Sequence, residues 1–471
     1  MRTNDVSEAW QLSASELQRR YRAGSLTPRA VVESCLARLE AVNPKLNAVV
    51  ARRDAAVLDE ASAAGARFAA GRPLSLLDGI PLSIKDNLQT HDQPATWGSL
   101  ALRGHRPARD EVPVARLRAA GALILGKTNV PEFTLEGYTS NRLFGTTRNP
   151  WNPALTPGGS SGGAVAGVAA GIAPLALGTD GGGSIRRPAS HCGVVGLKPS
   201  IGALARGQGL PSLLLDFEVV GPMARTVADV KLLFDALRGP CATDRHSLAA
   251  EAARGSRRGA GPLRVLYVPT LDGAPVDPEI AASCAQAARR LADLGHMVTE
   301  GAMPLDLAFM ATAWPVVGQV GLAHLFESHP AWREGASAKY LEMAQQGAAQ
   351  PAARLCEILD IVEQLRSDCV RLFRDFDVLV TPAAAALPWP ADEAFPAVIA
   401  CQPVGPRGHA VFTAWVNAAG LPALAVPAQP SSSGLPIGVQ MIGAYGADDM
   451  LLELGLAYEA AAPWADRWPP L

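Results

Sequence analysis

The sequence has little charge and no long basic run. Lys and Arg together number 42 against 44 Asp and Glu, which gives a formal net charge of −2, and charged residues make up 18% of the 471 positions. Proteins that bind nucleic acids cluster Lys and Arg on the surface that meets the phosphates. We therefore expect no nucleic-acid partner. The 48% of apolar residues is typical of a globular protein with a sizeable core.

Cysteine is scarce and follows no pattern. The seven cysteines are scattered, odd in number and include no C-x-x-C pair, which argues against a disulfide framework or a zinc site built on thiolates. The sequence also has no HExxH motif or comparable ligand cluster, and we expect neither a metal nor another cofactor. Because residues 1–20 lack the apolar core of a secretory signal, the sequence predicts a cytoplasmic location.

Long apolar runs are nearly absent. One uncharged run, residues 155–179, could span a bilayer by its length, but it contains seven glycines and two prolines. That composition is typical of tight turns and of a close-packed helix in a soluble protein. We expect no membrane association.

What the sequence does contain, from about residue 76, is a series of short apolar runs between helical segments. Two helices are predicted before them, one from the capping box Ser13-x-x-Glu16 and one from Thr27 with Pro28 in its first turn. Further helices are expected at 277–294 and through 300–370, and the stretch 251–262 is interpreted as a surface loop or a subdomain boundary. The runs predicted as strands are GIPLSIKD, GALILGKTN, APLALGTD, GVVGLKP, FDVLVTP, LPALAVPA and LPIGVQMIG. This alternation predicts an α/β fold.

Two short motifs match known site patterns but stand in the wrong context. GALILGKT (121–128) fits the phosphate-binding loop G-x-x-x-x-G-K-T, yet its middle residues, ALIL, have a strand pattern where a turn is needed. GSSGG (159–163) fits the G-x-S-x-G nucleophile elbow, which would make Ser161 the nucleophile, yet a proline-rich loop precedes it where a strand is needed. Nucleotide binding at the first motif stays open as an alternative function.

The glycine-serine clusters GGSSGG and GTDGGGS are better explained together. A helix of about 15 Å and a strand of about 20 Å separate them and run in opposite directions, so Ser160 and Ser184 can lie side by side. Consecutive glycine amides can converge on one point. Beside a nucleophilic Ser184, the amides of Gly181, Gly182 and Gly183 would form an oxyanion hole. A phosphate loop assisted by the two arginines that follow is the alternative interpretation.

A serine nucleophile needs a base, and two residues are candidates. His191 is the nearest in sequence of the eight histidines, but a single histidine shortly after a serine is more often a packing residue. Lys85 ends the apolar strand GIPLSIK. A lysine with its ordinary pKa near 10.4 is almost always protonated at pH 7, so Lys85 could be the base only if burial lowered its pKa. A buried strand end provides that environment.

These residues resemble the amidase signature family of serine hydrolases. The resemblance rests on Lys85 in GIPLSIKDN, on GGSSGG, and on GTDGGGSIRRPA followed by CGVVGLKPS, and it returns in FTAWVNAAGLPALAVP and GLPIGVQMIG. It implies a single α/β/α domain with a large mixed sheet flanked by helices. Its parts are N-terminal helices (1–60), a catalytic signature core (76–235), a variable helical portion over the active site (240–370) and the C-terminal part of the core (371–471).

The resemblance also implies a Ser-cis-Ser-Lys triad. Ser184 would attack the carbonyl of an amide and form an acyl-enzyme, and Ser160, entered through a cis peptide, would bridge Ser184 to Lys85. Neutral Lys85 would take the proton, and Ser160 would pass it to the departing amine. Three further residues would support the triad and its loop: Ser161, through a hydrogen bond to Lys85, and Asp180 and Arg186.

The sequence departs from the family pattern at two positions. Gly181 stands where many members have a larger residue, which should widen the floor of the site. Ala410 stands where glutaminase subunits of tRNA-dependent amidotransferases carry an aspartate that holds the amino group of glutamine. Such a glutaminase is the first alternative function. Since Ala410 has no carboxylate to hold the amino group of glutamine, this position favours an amidase that acts alone.

We therefore predict an amidase that hydrolyses a small-molecule amide with an uncharged or apolar acyl group. No partner protein is expected, and self-association as a homodimer stays open. The aromatic residues that could line the substrate pocket are Tyr138, Trp97, Trp314 and Trp415.

Overall fold

The computed structural model describes residues 6–253 and 261–471, so residues 254–260 of the stretch interpreted as a loop or boundary lie outside the described part. Short 3-10 helices cover Val6–Gln11, Leu100–Leu102, Glu132–Thr134 and Gly408–Ala410. The α-helices are α1 (Ala14–Arg22), α2 (Pro28–Leu46), α3 (Asp54–Ala69), α4 (Val112–Ala119), α5 (Gly162–Ala169), α6 (Arg186–Cys192), α7 (Val227–Leu237), α8 (Arg245–Ala253), α9 (Pro278–Asp293), α10 (Phe309–Thr312), α11 (Trp314–Ser328), α12 (Pro330–Glu334), α13 (Ala338–Ala348), α14 (Ala352–Asp375), α15 (Ala414–Ala418) and α16 (Asp448–Ala461). The strands are β1 (Val49–Arg52), β2 (Pro81–Lys85), β3 (Leu123–Thr128), β4 (Ser140–Asn141), β5 (Gly145–Thr146), β6 (Leu175–Asp180), β7 (Val195–Lys198), β8 (Val219–Ala224), β9 (Arg264–Tyr267), β10 (Met297–Glu300), β11 (Val378–Pro382), β12 (Val398–Ile399), β13 (Gln402–Pro403), β14 (Ala423–Pro427) and β15 (Gly438–Gly443).

Eleven of these strands form one mixed sheet in the order β1-β3-β2-β6-β8-β7-β14-β15-β11-β9-β10. β2 runs parallel to both β3 and β6, and β9 runs parallel to both β10 and β11. The other neighbouring pairs are antiparallel. The large mixed sheet implied by the resemblance is therefore confirmed.

Helices cover both faces of this sheet. Successive side chains of a strand point to opposite faces, and β11 illustrates the result. Val378 and Val380 belong to the core that includes residues of α1, α2, α7, α9 and α16, whereas Leu379 belongs to the core that includes residues of α11, α14 and α15. The small-residue helices α5 and α6 are buried throughout. The predicted α/β/α layering is confirmed.

The predicted helix starts are also confirmed. Ser13 precedes α1, and its hydroxyl accepts a hydrogen bond from the amide of Glu16 at 3.1 Å. Thr27 caps α2 in the same way, with Pro28 as the first helical residue. Such caps satisfy amides that have no partner within the helix.

The seven apolar runs predicted as strands are β2, β3, β6, β7, β11, β14 and β15. The sequence did not predict β8, because a proline inside a run argues against a central strand. Pro222 does lie in β8, between β6 and β7. β7 pairs with β8 only at Ala224 and Met223, so Pro222 stands just beyond the paired stretch and its missing N–H breaks no bond there.

The structure excludes the phosphate-binding loop at GALILGKT. The residues that would wrap a phosphate lie in β3, where they pair with β1 and β2 on either side. Lys127, which would contact the phosphates, is fully buried. Its Nζ donates to the carbonyl oxygens of Asp86 and Pro94, each at 3.2 Å, and to that of Leu88. The nucleotide-binding alternative is therefore wrong.

One helical stretch in the described part, Phe309–Ser328, is long and apolar enough to cross a membrane by length and composition. It comprises α10 and α11. Val317, Leu322 and Leu325 of α11 are buried in the protein core. A helix that is buried in a protein core can have this length and apolar composition without crossing a membrane.

Candidate active site

The ends of β2 and β6 lie side by side at one edge of the sheet. These strands are parallel and directly paired, so Lys85, the last residue of β2, and Asp180, the last residue of β6, emerge at the same edge. The loop Gly181 to Ser184 follows β6, and α6 begins at Arg186. The sheet thus brings the lysine strand and the glycine loop together.

Lys85 is fully buried, and its side-chain nitrogen contacts three oxygen atoms. Nζ lies 2.8 Å from Ser160 Oγ, 3.0 Å from Thr179 O and 2.9 Å from Thr179 Oγ1. Burial lowers the pKa of Lys85 to about 7, although the negative charges of Glu218 and Asp180 act in the opposite direction. A substantial fraction of the amine is therefore neutral near pH 7 and can accept a proton.

The two serines of the glycine-serine clusters line the same cavity. Ser160 is 1% exposed and Ser184 is 7% exposed, and both border the cavity described below. The peptide bond between Gly159 and Ser160 is cis. The amide of Ser161 donates to the carbonyl of Ser184 at 3.1 Å, which holds the two serine segments together.

The resemblance implied a hydrogen bond between Ser161 and Lys85, but the structure does not contain this bond. Its hydroxyl donates to the carbonyl of Thr179 at 3.1 Å, the same carbonyl that accepts from Lys85. The two side chains therefore share an acceptor instead of contacting each other. Ser161 is also fully buried, which excludes it as the nucleophile of the G-x-S-x-G elbow.

The glycine loop offers two free amides instead of the three expected. The amide of Gly183 donates to Asp180 Oδ1 at 2.6 Å, so it is already occupied. Gly183 is also the one member of the triplet with a positive φ, 111°, and it allows the loop to turn. In the described part of the chain, the amides of Gly181 and Gly182 have no hydrogen-bond partner. These two amides are the candidate oxyanion donors.

The floor of the site at Gly181 is not widened, contrary to expectation. A Cβ atom at Gly181 would lie 2.5 Å from Leu214 Cδ1, and Leu214 also lines the cavity. Leu214 therefore fills the volume that a larger residue at position 181 would occupy.

Asp180 and Arg186 form a fully buried ion pair behind the loop. Arg186 Nη2 and Nε donate to the Asp180 carboxylate at 2.9 and 3.0 Å. Burial alone would raise the pKa of Asp180, but the Arg186 guanidinium holds it well below its usual range. Arg186 also donates to Thr413 O, Asn417 Oδ1 and Gln440 Oε1 at 3.1, 2.5 and 2.6 Å. The sequence did not predict these last three contacts, whose acceptors lie at the start of α15, in α15 and in β15.

The cavity in front of Ser184 has a volume of about 230 Å³. Helices α11 and α13, from the portion expected to cover the active site, contribute to its wall. The apolar side chains around it include Leu135, Leu214, Trp314, Pro315 and Met343, and the charged ones are Glu136, Arg187, Glu218, Lys339 and Arg407. The wall therefore combines apolar side chains with charges that several separate segments contribute, and the predicted preference for an uncharged or apolar acyl group stays a prediction.

Of the four aromatic residues proposed for the pocket, only Trp314 lines the cavity. Trp97 is 2% exposed and packs edge-on against Phe133. Trp415 is 1% exposed and belongs to the core around α14 and α15. Tyr138 is half-buried, and its backbone passes directly against Gly159. These three residues serve packing, as large aromatic side chains commonly do.

His191 is held away from the base position. It is buried, its Nε2 lies 3.1 Å from the carbonyl oxygen of Ala386, and its ring packs edge-on against Trp389. Burial lowers the pKa of His191 to about 4. In the ranges 6–253 and 261–471, no group of three or more His, Cys, Asp or Glu side chains is arranged to hold a metal ion.

This fold and this arrangement of a buried lysine, two serines and a glycine loop define the amidase signature class of hydrolases. The profile of the Amidase family matches residues 30–452. The chain is 34% identical to an acylamidase of Rhodococcus erythropolis over 97% of each chain. It is 33% identical to one of the subunits of the glutamyl-tRNA(Gln) amidotransferase of Picosynechococcus sp., over 94% of this chain and 96% of the relative.

Solved structures give the same assignment. A bacterial aryl acylamidase of the amidase signature family superposes with a TM-score of 0.87 at 29% identity, over 98% of this chain and 99% of the other. A 6-aminohexanoate cyclic dimer hydrolase in complex with its substrate superposes with a TM-score of 0.86 at 28% identity, with the same coverage. The chain belongs to the amidase family and is an enzyme that hydrolyses carboxylic amides.

Proposed function

We propose that this amidase works through an acyl-enzyme on Ser184, with Ser160 and Lys85 as its proton relay. The observation that carries the proposal is the 2.8 Å contact between Lys85 Nζ and Ser160 Oγ, on a lysine whose pKa burial lowers to about 7. A base with a pKa near the working pH is the most effective for proton transfer. The proposal names Lys85 as that base.

The contacts of Lys85 also set the direction of the proton transfer. A neutral amine has two N–H donors and one lone pair. The carbonyl and hydroxyl oxygens of Thr179 lie 3.0 and 2.9 Å from Nζ and can accept the two N–H groups. The lone pair then faces Ser160, so the Ser160 hydroxyl donates to Lys85. Thr179 is thus a positioning residue that sequence reasoning did not identify.

Acylation follows from this arrangement. Ser160 gives its proton to Lys85 and takes the proton of Ser184, whose Oγ bonds to the carbonyl carbon of the amide. The negative charge that develops on the carbonyl oxygen is stabilised by the amides of Gly181 and Gly182, at roughly 3 to 4 kcal/mol per donor. Ser160 then passes a proton to the leaving nitrogen, Lys85 returns the proton that it took to Ser160, and the C–N bond breaks.

Deacylation repeats these steps with water. A water molecule loses a proton to the same relay and attacks the ester carbon of the acyl-enzyme. The Ser184–acyl bond breaks, Ser184 recovers its proton, and the carboxylic acid leaves. Each cycle consumes one amide and one water, and it releases one acid and one ammonia or amine.

Variants of the triad test this mechanism. Ser184→Ala should abolish turnover, Lys85→Ala should nearly abolish it, and Ser160→Ala should leave a small residual activity. Because the residues act as a unit, the double variant of Ser160 and Lys85 should be little worse than Lys85→Ala alone. His191→Gln is the control and should keep most of the activity. Full turnover by Ser184→Ala, or a loss of more than about a hundredfold in the histidine variant, would contradict the proposal.

A glutaminase that works within an amidotransferase is the second candidate, because relatives at this level of identity include amidotransferase subunits. Ala410 lines the cavity and offers no carboxylate to the amino group of glutamine. A charged group that is buried without a partner is costly. The isolated chain should therefore cleave simple amides at least tenfold better in kcat/KM than glutamine. Glutamine as the preferred substrate, or activity only after a partner protein is added, would favour the glutaminase.

We further propose a cytoplasmic enzyme that acts without another protein, as a monomer or a homodimer. All seven cysteines are free, as expected in a reducing compartment. Light scattering of the purified active enzyme measures which of the two states is present.

A further inference from the structure

The acidic side chains in the cavity wall already have cationic partners. Glu136 pairs with Lys339 and also accepts from the hydroxyl of Tyr340 at 3.3 Å. Glu218 lies 3.4 Å from the guanidinium of Arg206. Each carboxylate therefore already has a direct cationic partner, and the charge of Glu136 also acts on Arg407.

Arg187 brings such a positive charge to the same wall. The residue is 6% exposed and lines the cavity together with Ser184. Its Nη1 donates to the carbonyl of Gly182 and to Thr413 Oγ1, at 2.9 Å for the latter. Its Nε is buried without a partner. Within residues 6–253 and 261–471, no carboxylate lies within ion-pair distance of this guanidinium.

Arg407 adds a second guanidinium to the cavity wall. It is exposed to solvent, and it too has no carboxylate within ion-pair distance in the described ranges. Burial lowers the pKa of Arg187 to about 10; the carboxylate of Asp180 acts in the opposite direction, and the charges of Arg186 and Arg407 lower the pKa further. Asp180 is itself paired with Arg186. A buried cation without a directly paired carboxylate is unfavourable, whereas an anion bound at Arg187 would pair with it.

We propose that the substrate is an amide whose acyl part carries a carboxylate, bound by Arg187 and assisted by Arg407. The inference rests on the proposed function of Ser184. Guanidinium groups bind carboxylates through paired, charge-assisted hydrogen bonds, and Arg187 has its Nε and Nη2 free for that purpose.

The contacts of Arg187 assign the carboxylate to the acyl part of the substrate. Its guanidinium is anchored to Gly182 and Thr413, on the side of the oxyanion loop. The proton path to the leaving nitrogen runs instead through Ser160 and Lys85, which Arg187 does not contact. Glutamine also carries a carboxylate on its acyl part, but its α-ammonium would find Glu136 and Glu218 already paired with other cations.

A panel of matched amides tests the proposal. The ω-carbamoyl carboxylates malonamate, succinamate and glutaramate are compared with propanamide, butanamide and pentanamide, in which a methyl group replaces the carboxylate. At least one carboxylate should exceed its neutral counterpart by about tenfold or more in kcat/KM, the scale of a hydrogen bond to a charged group. Equal or better cleavage of every neutral counterpart would overturn the subsite.

Arg187→Met separates binding of the carboxylate from support of the loop. Thr413 Oγ1 also donates to the carbonyl of Gly182, at 2.8 Å, so that carbonyl keeps a donor in the variant. The preference for the carboxylate, measured as the ratio of kcat/KM on a carboxylate to kcat/KM on its neutral counterpart, should fall about tenfold or more. A weaker hold on the Gly182 carbonyl would lower both values together and leave this ratio unchanged. Arg72→Met removes an exposed charge from outside the cavity and should leave the preference unchanged. Equal losses on both kinds of amide would mean that Arg187 only supports the loop.

Binding to Ser184→Ala tests the subsite independently of turnover. Calorimetry should detect glutaramate or a shorter homologue binding more tightly than its neutral counterpart, and Arg187→Met in the same background should remove the difference. If no amide is turned over by the wild type but this difference is present, the proposed catalysis fails and the subsite stands. If the neutral amides are turned over and no carboxylate binds better, the subsite fails and the proposed catalysis stands.

Discussion

At the scale of single residues, the state of Lys85 controls the predicted pH dependence. The proton relay needs the neutral amine, and burial lowers the pKa of Lys85 to about 7. As pH falls through this value the amine becomes protonated, so kcat/KM should decrease toward acid pH and reach a plateau above about pH 8. The dependence of kcat/KM on pH, measured with a neutral amide, gives the position of this acidic limb, the decrease in kcat/KM toward low pH.

Glu218 provides a way to assign that limb to Lys85. The carboxylate of Glu218 raises the pKa of Lys85, so Glu218→Gln should move the limb to lower pH by roughly half a unit or more. Glu111→Gln is the matched control, because Glu111 is the other carboxylate on Arg206 but does not line the cavity. A shift in the control alone, or a limb that moves to higher pH in Glu218→Gln, would mean that another group titrates.

The sequence could predict the members of the site that follow from local spacing. The lengths of α5 and β6 place Ser160 and Ser184 at one cavity, as the structure has them, whereas their catalytic roles stay predictions. Thr179, Arg187 and Asn417 could not be singled out in this way. Their contacts depend on which segments become neighbours across separations of 94, 226 and 237 residues, and on unpaired donors that only a three-dimensional arrangement reveals.

At the scale of elements, α5 must lie very close to the backbone beside it. A Cβ atom at Gly163 would come within 2.5 Å of Asn129 N and 2.7 Å of Ala48 O, and backbone atoms cannot move aside easily. Gly163→Ala should therefore lower the free energy of unfolding by about 1–3 kcal/mol. It should also reduce activity, because α5 begins directly after the two serines. Urea denaturation and kinetic assays measure the two effects.

Gly167 of the same helix is the matched control. A Cβ atom there would meet only Ile172 Cβ, at 4.0 Å. Gly167→Ala should leave stability unchanged or raise it by about 0.4–1 kcal/mol, since alanine reduces the freedom of the unfolded chain without a clash. Equal destabilisation by both substitutions would show that helix propensity or overall packing, and not the close backbone approach, determines the result.

Most of the strands could be predicted because they are continuous apolar runs bounded by glycine and proline. Three of the strands that were missed have a physical reason. β1 and β10 have partly exposed side chains and lie at the two edges of the sheet, so their runs are short and mixed. β8 contains Pro222, which is paired with Leu177 of β6 but lies beyond the stretch that pairs with β7.

At the scale of the whole molecule, one sheet includes strands from both ends of the chain. β14 and β15 lie between β7 and β11, and Arg186 bonds to Asn417 of α15 and to Gln440 of β15. We therefore expect a single domain that unfolds as one unit. Loss of activity and loss of the far-ultraviolet circular dichroism signal should coincide in urea. Activity that disappears well before the secondary structure would indicate a C-terminal part that separates first.

Leu214 and Gly181 share one volume although they are distant in the sequence. A relative with a branched side chain at the position of Gly181 needs a smaller residue, or a displaced segment, at the position of Leu214. In an alignment, the two columns should therefore vary inversely in side-chain size. A mutagenesis library that diversifies both positions together should therefore yield more active clones than one that diversifies Gly181 alone, unless the Leu214 side chain rotates away from the new residue.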